Sequence, residues 1–151
     1  TFRMANIRNE KVDFKTLIRV APERCFYALA TGAGLDEWFT QGALVDLQPG
    51  GAIQYRWKDW GLEKYTGEIP GQVVEVQRPA RYAFKWRADS GTYDTTVTIT
   101  FTPVAEGTIV HLVETGYEDT PAGMQDLLNR VSGWAQVLTL LKFYLEHGLQ
   151  Y

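Results

Sequence analysis

The chain has 151 residues, long enough for one sizeable core and too short for two, so we expect a single domain over residues 1–151. Its 15 basic and 18 acidic side chains are scattered and nearly balanced, which argues against a partner that is a nucleic acid or an anionic membrane. No apolar run approaches the roughly 18 residues of a transmembrane helix, and the start, TFRMANIRNEK, lacks the apolar core of a secretory signal, so we expect no membrane insertion and a cytoplasmic location.

The first part of the chain predicts a strand followed by two short helices. Residues 12–20, VDFKTLIRV, alternate apolar and polar side chains as a half-buried strand does, and residues 1–10 before them are expected to be a flexible segment. Pro22 suits the first position of a helix that stops at Gly32. A second helical turn is expected over residues 35–39, LDEWF.

From Ala43 to Gly116 the pattern changes to six strands bounded by turn residues, which predicts an antiparallel meander. The six runs are ALVDL, AIQYRW, YTGEIPGQVVEV, RYAFKWR, TTVTITFTP and TIVHLVET. Thr120 and Pro121 then supply a helix N-cap and a favoured first residue, and Gly148 supplies a C-terminal stop. The final helix is therefore predicted to hold about 27 residues and to be about 40 Å long.

This last helix is apolar on two neighbouring faces. Its two apolar stripes are Leu127, Val131, Trp134, Leu138, Leu141, Leu145 and Val137, Leu140, Tyr144. A strongly curved antiparallel sheet with the helix across its concave face would bury both stripes. We therefore predict an α+β fold with about seven strands, two short helices after the first strand and one long C-terminal helix. A cavity would remain between sheet and helix if the sheet curls further than the helix can fill.

Large aromatic side chains alternate on the strands that should face this cavity. Tyr55 and Trp57 share one face of their strand, and Phe84 and Trp86 share one face of theirs. Each ring alone is an ordinary core residue, but several Tyr and Trp polar groups on one surface fit an apolar pocket with a few hydrogen-bonding groups. The predicted ligand-binding residues are Trp38, Tyr55, Trp57, Tyr82, Phe84, Trp86, Leu112, Glu114, Trp134, Leu138 and Leu141.

Glu114 is the one candidate for acid–base chemistry. It shares its strand parity with Val110 and Leu112, so it faces the core if they do, although the opposite parity is also partly apolar. A carboxylate buried in such a pocket would bind a donor or act as a general acid or base. The alternative is a carboxylate at the cavity mouth that is solvated or paired with an arginine.

The sequence offers no other catalytic motif, since it has no HExxH, CxxC or GxSxG. Its two histidines, His111 and His147, stand on different elements. The single Cys25 excludes an intrachain disulfide and a multi-cysteine metal site. Its position among apolar helix residues indicates a packed side chain, with a reactive thiol as the alternative. We therefore expect no metal and no cofactor.

Four stretches of the chain resemble one known family. These stretches are IRVAPERCFYALATGAGLDEWFT, DLQPGGAIQYRW, YTGEIPGQVVEVQRPARYAFKW and GWAQVLTLLKFYLEHG. They are similar to the opening, the Pro-Gly-Gly turn, the aromatic hairpin and the closing helix of bacterial proteins that are similar to the C-terminal domain of the activator of the heat-shock-protein-90 ATPase. The resemblance runs from about Lys15 to Gly148, and it implies a START-like (SRPBCC) helix-grip fold with a hydrophobic cavity.

The chain departs from the family pattern at two places. Glu114 stands near the strand end where many relatives carry a histidine or another polar residue. The family's paired tryptophans appear here as Trp38-Phe39. Both differences would change the polarity of the cavity mouth and therefore the ligand.

Three functions are compatible with this fold, and a fold by itself does not choose between them. The first is the binding of a small hydrophobic or aromatic molecule, of unknown identity, in the cavity. The second is an enzyme of the cyclase, dehydratase or hydrolase type that uses Glu114 as its acid or base. The third is a stress- or chaperone-related interaction module. Exposed sheet edges also allow self-association, so we expect a monomer or a homodimer.

Overall fold

The computed structural model describes residues 6–151. Residues 1–5, part of the segment predicted to be flexible, lie outside the described residues. Next to them, Ile7 forms an isolated antiparallel bridge with Glu118. The Arg8 backbone N–H donates to the Tyr117 carbonyl at 2.8 Å. Ile7 and Arg8 are therefore paired with the loop that precedes the last helix.

The described residues form seven strands and three helices in the predicted order. They are β1 (Val12–Ile18), α1 (Pro22–Ala30), α2 (Gly32–Asp36), β2 (Leu44–Val45), β3 (Ala52–Trp60), β4 (Tyr65–Gln77), β5 (Arg81–Arg87), β6 (Asp94–Val104), β7 (Gly107–Thr115) and α3 (Pro121–His147). The second helix begins earlier than predicted. The reason is that the Thr31 hydroxyl accepts from the Gly34 N–H at 2.9 Å and so caps a new helix directly after α1.

All seven strands belong to one antiparallel sheet in the order β1-β7-β6-β5-β4-β3-β2. Strands β2 to β7 form the predicted meander, and β1 closes it by pairing with β7, with Val12 opposite Glu114. The predicted α+β helix-grip fold is confirmed. Two bulges interrupt the sheet, one in β3 between Trp57 and Trp60 and one in β4 between Val73 and Glu75.

Helix α3 begins and ends where its capping residues predict. The Thr120 hydroxyl accepts from the Gly123 N–H at 2.9 Å, Pro121 is the first helical residue, and Gly148 ends the helix with a φ of 70°. Its buried face is rotated from the predicted stripe, because Asp126 and Arg130 also point inward. Val131 therefore lies outside the buried face and is 45% exposed, which corrects the predicted stripe.

Helix α1 and the last turns of α3 cover different parts of the concave face. Helix α1 covers one end, where the Phe26 ring lies 5.4 Å from Phe101 and 6.2 Å from Tyr82. The last turns of α3 are fastened to the edge of β1. There Lys142 Nζ donates to the Leu17 carbonyl, and the Glu146 carboxylate accepts from the Arg19 backbone N–H at 2.9 Å. What remains uncovered is the end formed by β3, β4 and β5.

Candidate ligand cavity

A cavity of about 490 Å³ lies between the first half of α3 and the β3–β5 end of the sheet. This volume is typical of sites for small molecules. Six aromatic rings and two aliphatic side chains make most of the wall, and four polar or charged side chains complete it. The lining residues are Phe39, Trp57, Trp60, Tyr65, Ile69, Trp86, Asp89, Asn129, Arg130, Gly133, Trp134, Gln136 and Val137.

The bulge in β3 explains how one strand supplies two tryptophans to the same cavity. Trp57 and Trp60 are three residues apart and would point to opposite faces of a regular strand. The register shift between them, with Asp59 at a φ of 49°, brings both side chains to the cavity. Phe39, on the turn after α2, lies edge-on to both indoles with ring centroids 5.4 Å away.

Behind the wall, Glu114 is fully buried and accepts four hydrogen bonds. Its Oε1 accepts from Trp134 Nε1 at 2.8 Å, and its Oε2 accepts from Trp86 Nε1 at 2.8 Å and from Thr95 Oγ1 at 2.6 Å. Arg130 Nη1 donates to the same Oε2 at 2.6 Å. Three of these four donors belong to side chains that line the cavity, so Glu114 fixes the wall from behind.

Arg130 extends this network to the loop between β5 and β6. Its Nε and Nη2 donate to Asp89 Oδ1 at 3.1 and 3.0 Å, and Nη2 also donates to the Arg87 carbonyl at 2.7 Å. The guanidinium lies 4.3 Å above the centre of the Trp86 ring. Burial alone would lower the pKa of Arg130, but the carboxylates of Glu114 and Asp89 outweigh burial, so its pKa is raised and the group stays charged.

A second buried acid secures the same loop. Asp126 accepts from the Ser90 backbone N–H at 3.0 Å, from Ser90 Oγ at 2.8 Å and from the Tyr93 hydroxyl at 2.8 Å. Burial and this hydrogen bond raise the pKa of Tyr93 to about 12. Asp126 and Arg130 are four residues apart on α3, so one helix face holds both ends of the β5–β6 loop over the cavity.

The structure brings three of the predicted ligand-binding residues to the cavity wall, namely Trp57, Trp86 and Trp134. Glu114 lies behind them. Trp38 faces away and donates its Nε1–H to the Ala28 carbonyl at 2.9 Å. The other predicted residues lie deeper in the core, where α1 and the rings themselves fill the concave face: Tyr55, Tyr82, Phe84, Leu112, Leu138 and Leu141.

Packing between rings explains why the deeper aromatic residues do not reach the cavity. Tyr55 stacks on Trp57 at 5.8 Å and lies 5.0 Å from Trp86, so these two indoles separate it from the open space. Burial raises the pKa of Tyr55 well above its ordinary value. The other lining residues, among them Phe39, Trp60, Asp89 and Arg130, were not predicted from the sequence. For Arg130 a signal was present, because it lies on the apolar arc of α3 four residues before Trp134.

Cys25 is fully buried in α1, and burial raises the pKa of its thiol to about 11. The thiol is therefore protonated at neutral pH, as a packed side chain requires.

Within residues 6–151, no three His, Cys, Asp or Glu side chains are grouped so that they could hold a metal ion. Over the same residues, no helix is long and apolar enough to cross a membrane.

Residues 19–146 match the model of the family described as Activator of Hsp90 ATPase homolog 1-like protein. The chain belongs to this family. The resemblance identified from the sequence is thus confirmed, and it covers the whole cavity wall, from Phe39 on the turn after α2 to Val137 on α3. No curated protein sequence matches the chain significantly.

Solved structures share this family's fold over nearly the whole chain. A protein from Staphylococcus saprophyticus is 25% identical, with a TM-score of 0.74 over 94% of this chain and 96% of its own. The Aha1 dimer from Colwellia psychrerythraea is 21% identical, with a TM-score of 0.75 over 92% of this chain and 98% of its own. A protein from Chromobacterium violaceum is 23% identical, with a TM-score of 0.72 over 90% and 97%.

Proposed function

We propose that the protein binds a small apolar or aromatic molecule in the cavity between α3 and the sheet. The observation that carries this proposal is the convergence of four of the chain's five tryptophans on one cavity of about 490 Å³. A concave site lined mainly by aromatic side chains with a few polar groups is the usual form of a small-molecule site. Ligand binding therefore accounts for this convergence of tryptophans.

An unpaired donor in the wall supports the same function. Trp57 is 7% exposed, and its indole N–H has no acceptor among the described residues. A buried donor without a partner costs about 1–3 kcal/mol. A ligand that places a carbonyl, ether or hydroxyl oxygen against Trp57 would remove this cost, so we expect one such acceptor on an otherwise apolar molecule.

Glu114 fits a positioning role better than an acid–base role. A general acid or base must come within hydrogen-bonding reach of the proton that it transfers. Both Glu114 oxygens are already engaged by buried donors, and the side chain lies behind the wall rather than in it. This geometry favours ligand binding over the enzymatic alternative, with Glu114 holding Trp86, Arg130 and Trp134 in place.

Gly133 offers a direct test of the cavity. It lines the cavity from α3, and a Cβ at this position meets no atom within 4 Å. Gly133→Phe should fill the space at little cost to folding, because glycine inside a helix is itself unfavourable by about 0.5–1 kcal/mol relative to alanine. We expect at least about a tenfold loss of affinity for compounds that bind the wild type, measured by tryptophan fluorescence across a library of aromatic compounds and fatty acids.

The matched control is Ser132→Phe, which adds the same ring to an exposed neighbouring position that does not line the cavity. This variant should bind like the wild type. Native mass spectrometry of protein purified from cells would identify the molecule that occupies the cavity. The proposal would be contradicted if the wild type bound no member of the library saturably. It would also be contradicted if Gly133→Phe left the affinity unchanged.

A further inference from the structure

We infer that the cavity selects organic cations: an apolar or aromatic molecule that bears a protonated amine or a quaternary ammonium group should bind better than a neutral or anionic molecule of the same size. This inference rests on the proposed function and adds the chemical class of the ligand. Two independent features of the wall support it, namely its balance of charges and its aromatic rings.

The cluster formed by Arg130 and the carboxylates of Asp89 and Glu114 carries a net negative charge. Arg130 is the one basic side chain among the lining residues, and it is paired with two carboxylates, Glu114 at 2.6 Å and Asp89 at 3.0 Å. Asp89 receives both Arg130 contacts on Oδ1, while its Oδ2 accepts no hydrogen bond from residues 6–151. Its side chain is 40% exposed and lines the cavity, so a free carboxylate oxygen is available to a ligand.

Arg130 is poorly placed to recognise an anion. A guanidinium binds carboxylates and phosphates through pairs of N–H donors. Here its nitrogens already donate to Glu114, to Asp89 twice and to the Arg87 carbonyl, which engages four of the five N–H groups. An anionic ligand would therefore meet few free donors, and the cluster of Arg130 with its two carboxylates would repel it.

The aromatic rings of the wall also favour a positively charged ligand. The faces of aromatic rings attract cations, and the indole face attracts them most strongly. One tryptophan of this wall already holds a cation, since the Arg130 guanidinium lies 4.3 Å above the Trp86 ring. Trp57, Trp60 and Phe39 supply further rings across the cavity. A ligand ammonium between these rings and Asp89 would gain both attractions while its apolar body fills the remaining volume.

Three small probes that differ mainly in charge test this inference. At neutral pH 2-phenylethylamine is a cation, 2-phenylethanol is neutral and phenylacetate is an anion, while the phenyl ring and overall length are nearly the same. We expect the amine to bind about tenfold more tightly than the alcohol, and phenylacetate to bind most weakly. NMR titration of the indole N–H resonances locates the binding, because four tryptophans line the cavity while Trp38 does not and serves as an internal control.

Asp89→Asn should reduce the preference for the amine over the alcohol to about twofold or less. The matched control is Asp94→Asn, which removes the same charge from another arginine-paired aspartate that does not line the cavity and should leave the preference unchanged. If Asp89→Asn fails to fold, the three probes on the wild type still decide the question.

Equal binding of the amine and the alcohol, tighter binding of phenylacetate, or an unchanged preference in a folded Asp89→Asn protein would overturn the inference and leave the proposed function standing. If none of the three probes moves the cavity indole resonances and the compound library also fails to bind, the proposed function itself fails.

Discussion

A single buried carboxylate connects four elements of this protein. Glu114 on β7 accepts hydrogen bonds from Trp86 on β5, from Thr95 on β6 and from two residues of α3. Removing one partner of a buried ion pair leaves the other charge uncompensated, which costs far more than the loss of a surface pair. The cavity wall therefore depends on a residue that does not itself line the cavity.

Glu114→Gln should lower the free energy of unfolding by about 3 kcal/mol. The amide keeps the size of the side chain but leaves the charge of Arg130 without its closest partner and turns an NH₂ group toward existing donors. Urea unfolding followed by circular dichroism measures the effect. Glu68→Gln is the control, because Glu68 pairs with Arg56 at the surface and is 58% exposed, so little change is expected. Similar losses in both variants would contradict the structural role of Glu114.

At the residue scale, the burial of Glu114 could be predicted from the sequence, but its pairing with Arg130 could not. Strand parity predicts that Glu114 shares a face with Val110 and Leu112, and all three are fully buried. The identity of its partner could not be read from the pattern. Arg130 reaches Glu114 only because α3 is rotated so that Asp126 and Arg130 point inward, and this rotation depends on the loop that both side chains hold.

Among the elements, α3 has the ends that were predicted best. Its contacts were predicted less well than its ends. Thr120, Pro121 and Gly148 define its limits through local chemistry that a sequence displays directly. The bulge in β3 could not be predicted in this way, since no residue pattern indicates the register shift that turns Trp60 toward the cavity. Local signals thus predicted the ends of α3, while the cavity wall depended on helix rotation and strand register.

The end of α3 predicts a pH-dependent contribution to stability. Burial alone would raise the pKa of Glu146, but hydrogen bonds from Lys142 and the Arg19 N–H outweigh burial and lower its pKa below the ordinary 4.5. A carboxyl whose pKa is lower in the folded state stabilises the fold above its unfolded value, and this contribution is lost as the pH falls through the folded value.

Glu146→Gln should therefore cost about 1 kcal/mol at neutral pH, and the difference from the wild type should shrink toward zero as the pH falls below 4.5. Chemical unfolding at a series of pH values measures this. Glu106→Gln, in the exposed turn between β6 and β7, provides the comparison and should change the free energy of unfolding little. A pH-independent loss in Glu146→Gln would show that the carboxylate charge is not what holds α3 to β1.

At the scale of the whole molecule, periodicity and turn residues predicted the meander, the long helix and a cavity between them. They could not predict which end of the concave face stays open, because that depends on how α1 packs. Phe26 fills the end near Tyr82 and Phe101, so the predicted lining residues in that region became core. The pairing of β1 with β7 was equally hidden, since hairpin signals join only strands that are close in sequence.

A chain shortened to residues 1–120 should fail to unfold cooperatively, because it lacks α3 and leaves the apolar concave face exposed. We expect binding of the dye 8-anilinonaphthalene-1-sulfonate and the loss of a sharp thermal transition in calorimetry. A chain of residues 1–148 is the control, since it loses only the last contacts of the tail, such as that of Tyr151 with Trp60, and should keep the fold. A cooperative transition in the shorter chain would contradict the role given to α3.

The pairing of the first strand with the last also affects how the protein is made. Strand β1 leaves the ribosome first, and its partner β7 follows only after the rest of the sheet, since Val12 pairs with Glu114. At about 5–20 residues per second, the 27 residues of α3 take a further few seconds to synthesise. During that interval the ring-lined surface that later forms the cavity has no cover. The nascent chain is therefore most exposed to aggregation between the synthesis of β7 and that of α3, and chaperones that act on ribosome-bound chains would meet it at that stage.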